Sequence, residues 1–194
     1  MQKFLAVLTV ALFVATIGVA QAAIIDFEDL NGLPDGVEAG IGSLPEGYAG
    51  FNWTNAYWLN KNIAQNINGT GYEYGTFGQI SMITYWYNTI TMASNSLFNF
   101  YSAYITSVIE SQTMRVIGYE DGTVKWSTDV TVNYANPSLV TLDFTGIDKI
   151  TFEPATGRNI VIDNMNVAVP VPSPVWLLSS GLIGLVWLRR KFRK

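Results

Sequence analysis

From Ala23 to Val169 apolar and polar residues alternate along the chain, and no long stretch repeats at the i, i+3, i+4 spacing of an amphipathic helix. In Ile24-Ile25-Asp26-Phe27-Glu28-Asp29-Leu30, a period of two puts Ile25, Phe27 and Asp29 on one side of a strand and Ile24, Asp26, Glu28 and Leu30 on the other. Similar runs cover 48–54, 76–83, 89–93, 97–106, 113–119, 124–132, 139–144, 149–152 and 159–167, all rich in β-branched and aromatic residues. Glu120-Asp121-Gly122 reads as a tight hairpin, because Gly and Asp tolerate the positive φ that two-residue turns require. Gly69–Gly71, Asn136-Pro137 and Ala155–Gly157 mark further turns. About ten short strands separated by turn residues predict an all-β fold, an antiparallel β-sandwich of jelly-roll type. The sequence shows no internal repeat and no second domain.

Both ends of the chain break this pattern. Lys3, an apolar run from Phe4 to Val19, and Ala20-Gln21-Ala22 form the charged, hydrophobic and small-x-small parts of a signal peptide over residues 1–22, predicting a cut before Ala23. The exported domain then runs over 23–168, and residues 169–194 form a separate C-terminal signal. That signal has a Pro-rich motif over 170–174, an uncharged run over 175–188 and a basic tail over 189–194. Fourteen helical residues extend about 21 Å at ~1.5 Å each, short for a bilayer core of about 30 Å. Trp176 and Trp187 flank the run as interfacial residues do, and Arg189, Arg190 and Lys191 begin a stop-transfer cluster held on the cytoplasmic side.

Charge follows the same partition. The net charge is -4, yet all fifteen acidic residues lie between Asp26 and Asp163, and that span has only five basic residues, a formal -10. This excludes a basic nucleic-acid binder. The chain has no Cys and no His. There is therefore no disulfide framework, no thiolate site, and no Ser/His or Cys/His catalytic arrangement. The expectation is a protein that is not an enzyme.

At this point the residues carry two resemblances. Pro172, Ser173 and Pro174, the apolar run opening Trp-Leu-Leu-Ser-Ser-Gly-Leu and the terminal Arg/Lys cluster resemble the PEP-CTERM sorting signal, in a Val-Pro-x-Pro form in place of Pro-Glu-Pro. This implies processing by signal peptidase and then by an exosortase-type enzyme in a Gram-negative bacterium. It also implies an inner-membrane anchored precursor and a mature protein at the cell surface or outside the cell, associated with exopolysaccharide and biofilm. The later half of the domain resembles galactose-binding-like carbohydrate modules. The matching pieces are Phe98–Tyr104, Val116–Gly122, Leu142–Asp148 and Ile162–Met165, with Asp26–Glu28 and Tyr48–Phe51 at the opening.

Three chemistries compete. Fifteen of 26 aromatic residues fall between Tyr48 and Tyr104, interleaved with Asn, Gly and Thr. The segment 55–75 reads as a loop in which Tyr57, Trp58, Tyr72 and Tyr74 could stack on the C–H faces of sugar rings, beside Asn60, Asn62, Asn66 and Asn68. Trp86, in Tyr85-Trp86-Tyr87, forms a second cluster. The competing reading makes these aromatics sandwich core and the asparagines turn formers. Asp26 and Glu28 from the first strand and Asp163 from the last are candidate ligands for a structural calcium, since terminal strands of a jelly roll lie side by side. The alternative is solvated carboxylates. Glu110, Glu120, Asp121 and Glu153 are the acids available to a carboxylate-based glycosidase, yet no spacing singles out a pair. The function expected is a non-catalytic, exported sandwich that associates with polysaccharide. The other class is a structural or adhesive surface protein.

Overall fold

The structure is a computed structural model, and it describes residues 21–30, 40–62, 67–86, 88–134, 136–155 and 158–169. The signal peptide, the sorting motif Pro172-Ser173-Pro174, the apolar run 175–188 and the basic tail from Arg189 lie outside the described residues. Among the described residues no helix is long and apolar enough to cross a membrane. Ala22–Val169 form one compact unit.

Among the described residues ten strands build it, antiparallel in every pair from β2 to β10: β1 (Gln21–Ile25), β2 (Ile41–Ser43), β3 (Asn52–Thr54), β4 (Ala56–Asn60), β5 (Ile80–Thr84), β6 (Ile90–Ser107), β7 (Gln112–Glu120), β8 (Thr123–Val132), β9 (Ser138–Glu153) and β10 (Ile160–Val169). A single helical turn, α1 (Gly71–Gly75), joins them. The strands follow the order β2-β4-β5-β10-β6-β9-β7-β8, with β1 on β10 and β3 on β6.

β6 and β9 turn this continuous sheet into a sandwich. The later part of β6 pairs with β10 and with the start of β9, as in Tyr104↔Asp163 and Tyr104↔Leu139. Its earlier part pairs with β3 and the end of β9, as in Met92↔Trp53 and Met92↔Ile150. Register shifts between Ala93 and Ser102 mark the bend. One layer is thus β2-β4-β5-β10 with halves of β6 and β9, and the other is β3, the remaining halves, β7 and β8.

Four sequence-predicted runs over 89–93, 97–106, 139–144 and 149–152 are therefore two long strands. Positive φ at Asp143 and Gly146 bends β9 without ending it. The hairpin is as expected: β7 and β8 are joined by Asp121 (φ 49) and Gly122 (φ 74). Two other expectations are corrected. The opening run ends as a strand at Ile25, because Phe27 adopts φ 63 and a 3-10 turn follows over Glu28–Leu30. The run 48–54 splits into a turn at Tyr48–Gly50 and the short β3.

Side chains between the layers form one core. Phe51 meets Phe98 edge-on at 5.1 Å, and Phe100 meets Phe152 at 5.6 Å. A second, smaller cluster of Leu59, Ile67, Ile83, Val108 and Val161 lies on the outer side of β4, β5 and β10, with Tyr57 and Tyr72 packed against it. α1 reaches this face because Gly71 has no side chain: a Cβ there would sit 1.9 Å from the Ser107 carbonyl oxygen, and the Gly71 amide instead donates to the Val108 carbonyl at 2.8 Å.

Candidate functional site

Alternation along β4 decides the fate of the first aromatic candidates. Ala56 and Trp58 point into the core, while Tyr57 and Leu59 point outward. Trp58 is buried and its indole lies against the space beside Gly42, so its assignment to a sugar platform is corrected: it is a core residue. The segment expected to be a loop holds a strand and a helical turn instead. Asn60 is likewise buried, accepting the Asn62 amide at 3.0 Å. Tyr72, on α1, is half-buried, packs on the outer cluster, and accepts a hydrogen bond from the Asn159 side chain at 2.9 Å. That is a scaffold role. Tyr74, on the same turn, is exposed.

Two of the five candidates come together through a third residue. Tyr57 packs against Tyr85 at 5.3 Å between ring centroids, and Tyr85 meets Trp86 edge-on at 5.1 Å. Trp86 is the most exposed large apolar side chain of the described residues, at 69%. Its backbone is in the left-handed region, φ 61, which a bulky residue occupies only at a cost of about 1–2 kcal/mol. Asn88 donates to the Tyr85 carbonyl at 3.3 Å, and Asn55, itself at φ 55, donates to Thr89 at 3.1 Å. These contacts tie down the turn that carries the indole. The result is a three-ring edge, apolar on its faces and bordered by amides, with Trp86 displayed in the turn that follows β5. A further aromatic pair, Phe77 on Tyr104 at 4.6 Å, lies on the same outer face and has no sequence signal beyond residue type.

The acidic candidates also converge, but on amides. Glu28 Oε1 accepts from the backbone amides of Gln79 (2.7 Å) and Ile80 (2.9 Å). Asp163 accepts from Phe77 (2.8 Å) and from its neighbour Asn164 (2.7 Å). Asp26 accepts from the Glu28 amide at 3.3 Å. Among the described residues no group of three acidic side chains is arranged to hold a metal ion. Burial pushes the Asp163 carboxyl up to about 8 against the pull of its two amides, and the charges of Glu28 and Asp26 push the same way. Nearby, the Tyr48 phenol donates to Asp29 at 2.6 Å, and burial first, then this bond, raises it well above the usual tyrosine range.

The acids considered for glycoside hydrolysis are dispersed. Glu110 pairs with Arg158 and Glu120 with Lys125 at 2.8 Å. Asp121 sits in the β7–β8 turn, and Glu153 ends β9.

No protein-family model matches the chain, and no curated protein matches it. Among solved structures it is similar to a DUF4465 family protein from Bacteroides caccae ATCC 43185, with 10% identity, 76% of this chain and 98% of that one covered, and a TM-score of 0.51. That likeness shows a shared fold. The chain is also similar to TmCBM61 in complex with beta-1,4-galactotriose (9% identity, 63% and 93% covered, TM-score 0.37). A variant of CBM29-2, a family 29 carbohydrate-binding module, was found as well (15%, 77% and 92%, 0.38).

Proposed function

We propose that this chain is an exported, non-catalytic protein whose sandwich binds a surface polysaccharide through the Tyr57–Tyr85–Trp86 edge. The observation that carries the reading is Trp86 itself. A large indole is held out to solvent at 69% exposure, on a backbone conformation that disfavours it, and is supported by Tyr85 and Tyr57 behind it. Strain retained at an exposed aromatic is what a preorganised contact requires, since a ring already held in place loses little freedom on binding. Sugar rings offer C–H faces to such rings, and the bordering amides of Asn55 and Asn88 match hydroxyl groups without adding charge. The signal peptide, the membrane-inserted sorting segment and its exosortase-type processing supply the route to the surface, where exopolysaccharide is the polymer at hand.

The test is retardation of the full-length chain, kept in mild detergent, in gels containing neutral polysaccharides. Retardation that is clearly weakened in Trp86→Ala and Tyr57→Ala supports the reading. Mobility unchanged by every polymer overturns it in favour of a structural surface protein. Mass spectrometry of the mature protein from its native cells tests the route: a start at Ala23 and loss of Arg189–Lys194 are expected, and an intact Met1 would refute it.

A further inference from the structure

On the opposite side of the sandwich a second set of side chains is arranged for binding. Along β7, Met114 and Val116 enter the core, so Thr113, Arg115, Ile117 and Tyr119 face outward. Cross-strand register extends these into rows. Arg115 stands between Asp129 on β8 and Glu153 on β9, and Ile117 stands between Ser127 and Thr151. In the third row the Lys149 ammonium covers the Tyr119 ring at 4.0 Å, closing that ring to stacking. The first row is different. Arg115 meets Asp129 side-on at the surface, Nε to Oδ1 at 2.9 Å and Nη2 to Oδ2 at 3.4 Å, with both side chains more than half exposed, and all three side chains line a shallow, open cleft with Thr113 and Pro154.

The chemistry of the row selects its occupant. One guanidinium flanked by two carboxylates offers fixed donors and acceptors side by side, the pattern that adjacent sugar hydroxyls, each both donor and acceptor, can satisfy. An anionic polymer would meet two carboxylates and a domain of formal charge -10. A bare cation would meet the guanidinium that separates the two carboxylates. The Arg115 partner holds Asp129 below the usual carboxylate range, so it stays an acceptor and is no general acid. We propose that the Asp129–Arg115–Glu153 cleft is a second contact for a neutral, vicinal-diol-bearing polysaccharide, on the face opposite the Trp86 edge. Tyr57 and Arg115 point away from the same core in opposite layers. One domain would therefore join two polysaccharide chains. This rests on the reading that the domain binds polysaccharide.

The experiment uses the full-length chain in detergent with three soluble probes: hydroxyethylcellulose and β-1,4-galactan as neutral polymers, and polygalacturonate as the anionic one. Retardation in gels and light scattering of protein–polymer mixtures are read together. With a neutral polymer, the wild type should raise the scattering as it cross-links chains. Glu153→Gln and Arg115→Gln should each weaken binding about tenfold in the Trp86→Ala background, and should abolish the scattering rise in the wild-type background while leaving retardation by the aromatic edge. Arg115→Lys, which keeps the charge but loses the fork, should behave like Arg115→Gln. If the cleft variants scatter and migrate like the wild type while Trp86→Ala loses all retardation, the second site is overturned and the aromatic edge stands. Retention on polygalacturonate alone would overturn the assigned ligand class. No retardation of the wild type by any polymer would remove the polysaccharide reading itself.

Discussion

The carboxylate of Asp163, on the last strand, accepts the amide of Phe77 at 2.8 Å across 86 positions of sequence. Glu28, just beyond the first strand, grips the same loop two residues later through Gln79 and Ile80. The two ends of the domain are thus fastened to one connection in its middle, in a chain without cysteine.

This fastening makes stability depend on pH with a definite sign. The folded-state carboxyl of Asp163 titrates at about 8, whereas the unfolded group titrates near 3.9. Below about pH 4 both states carry the proton and the group is neutral for stability. Between about 4 and 8 the unfolded state ionises while the folded state does not, so this group lowers stability as pH rises; above 8 its contribution is constant. At ~1.4 kcal/mol per pH unit, the loss amounts to several kcal/mol. Asp163→Asn cannot titrate but also gives up one of the two amide acceptors, so it should lower the unfolding midpoint at pH 3.5, lose less or gain at pH 8, and flatten the slope between. A variant whose midpoint tracks the wild type at every pH would show that Asp163 carries no such proton.

Glu28 supplies the other half of the clamp. Glu28→Ala removes the acceptor of two backbone amides, and charge-assisted bonds of this kind contribute ~1.5–3 kcal/mol each when intact. Glu28 is only partly buried, so water recovers some of that. A net loss of about 2 kcal/mol is expected from urea unfolding, with about half of it restored in Glu28→Gln, which keeps one carbonyl oxygen. Equal midpoints for wild type and alanine variant would show that the two amides are satisfied without it.

How much of this was legible in the sequence depends on which property is asked of each residue. Alternation separated Ile25 from Ile24, but it failed past the strand end, where the left-handed Phe27 and the 3-10 turn bury Leu30 and expose Asp29; chain chemistry correctly placed the Asp121-Gly122 turn. The adjacency of first and last strands was legible too, since β1 pairs with β10, and Glu28, just past β1, and Asp163 on β10 hold the same loop. That their oxygens are taken by amides of residues 77–80 was not, because no local pattern says which loop a strand end will meet. Trp58 was misread for a related reason. It lies one residue from Tyr57 in a short strand, and a one-residue change of face exchanges core for solvent. Trp86 was found by type, but its left-handed turn, the feature that displays it, follows from where β5 stops.

Packing of α1 makes a sharper demand. A Cβ at Gly71 would lie 1.9 Å from the Ser107 carbonyl oxygen, too close for any side-chain adjustment to relieve. Gly71→Ala should therefore lift the helical turn off β6, at a cost of at least about 3 kcal/mol, and open the outer cluster around Ile83 and Val161. Increased fluorescence of a hydrophobic dye, together with a lower urea midpoint, is the expected signature. A variant with wild-type stability would mean that α1 is not seated as closely as 1.9 Å implies.

Beneath α1, Thr106 presents a buried hydroxyl with no hydrogen-bond partner, beside Gly75 and Val161. A buried polar group left unpaired costs ~1–3 kcal/mol, and valine has nearly the same shape without that cost. Thr106→Val should be neutral or stabilising by about 1 kcal/mol in urea unfolding. A destabilisation of similar size would reveal a partner for the hydroxyl.

Trp58, in the core, and Trp86, stacked edge-on to Tyr85 at the surface, provide the clearest separation of scaffold from binding surface. Trp58 is sealed in the core, and truncating a buried aromatic of that size costs about 3–5 kcal/mol through lost burial and the cavity left behind. Trp86 is mostly in water and meets Tyr85 edge-on. Trp86→Ala should thus stay within about 0.5 kcal/mol of wild type in thermal unfolding while its retardation by neutral polysaccharide falls to the weaker level that the Arg115 face alone supports. Trp58→Phe, which refills most of the core space, should lose some stability yet keep retardation at temperatures where it is folded. Exchanged roles, with binding lost in folded Trp58→Phe and kept in Trp86→Ala, would move the sugar contact off the aromatic edge altogether.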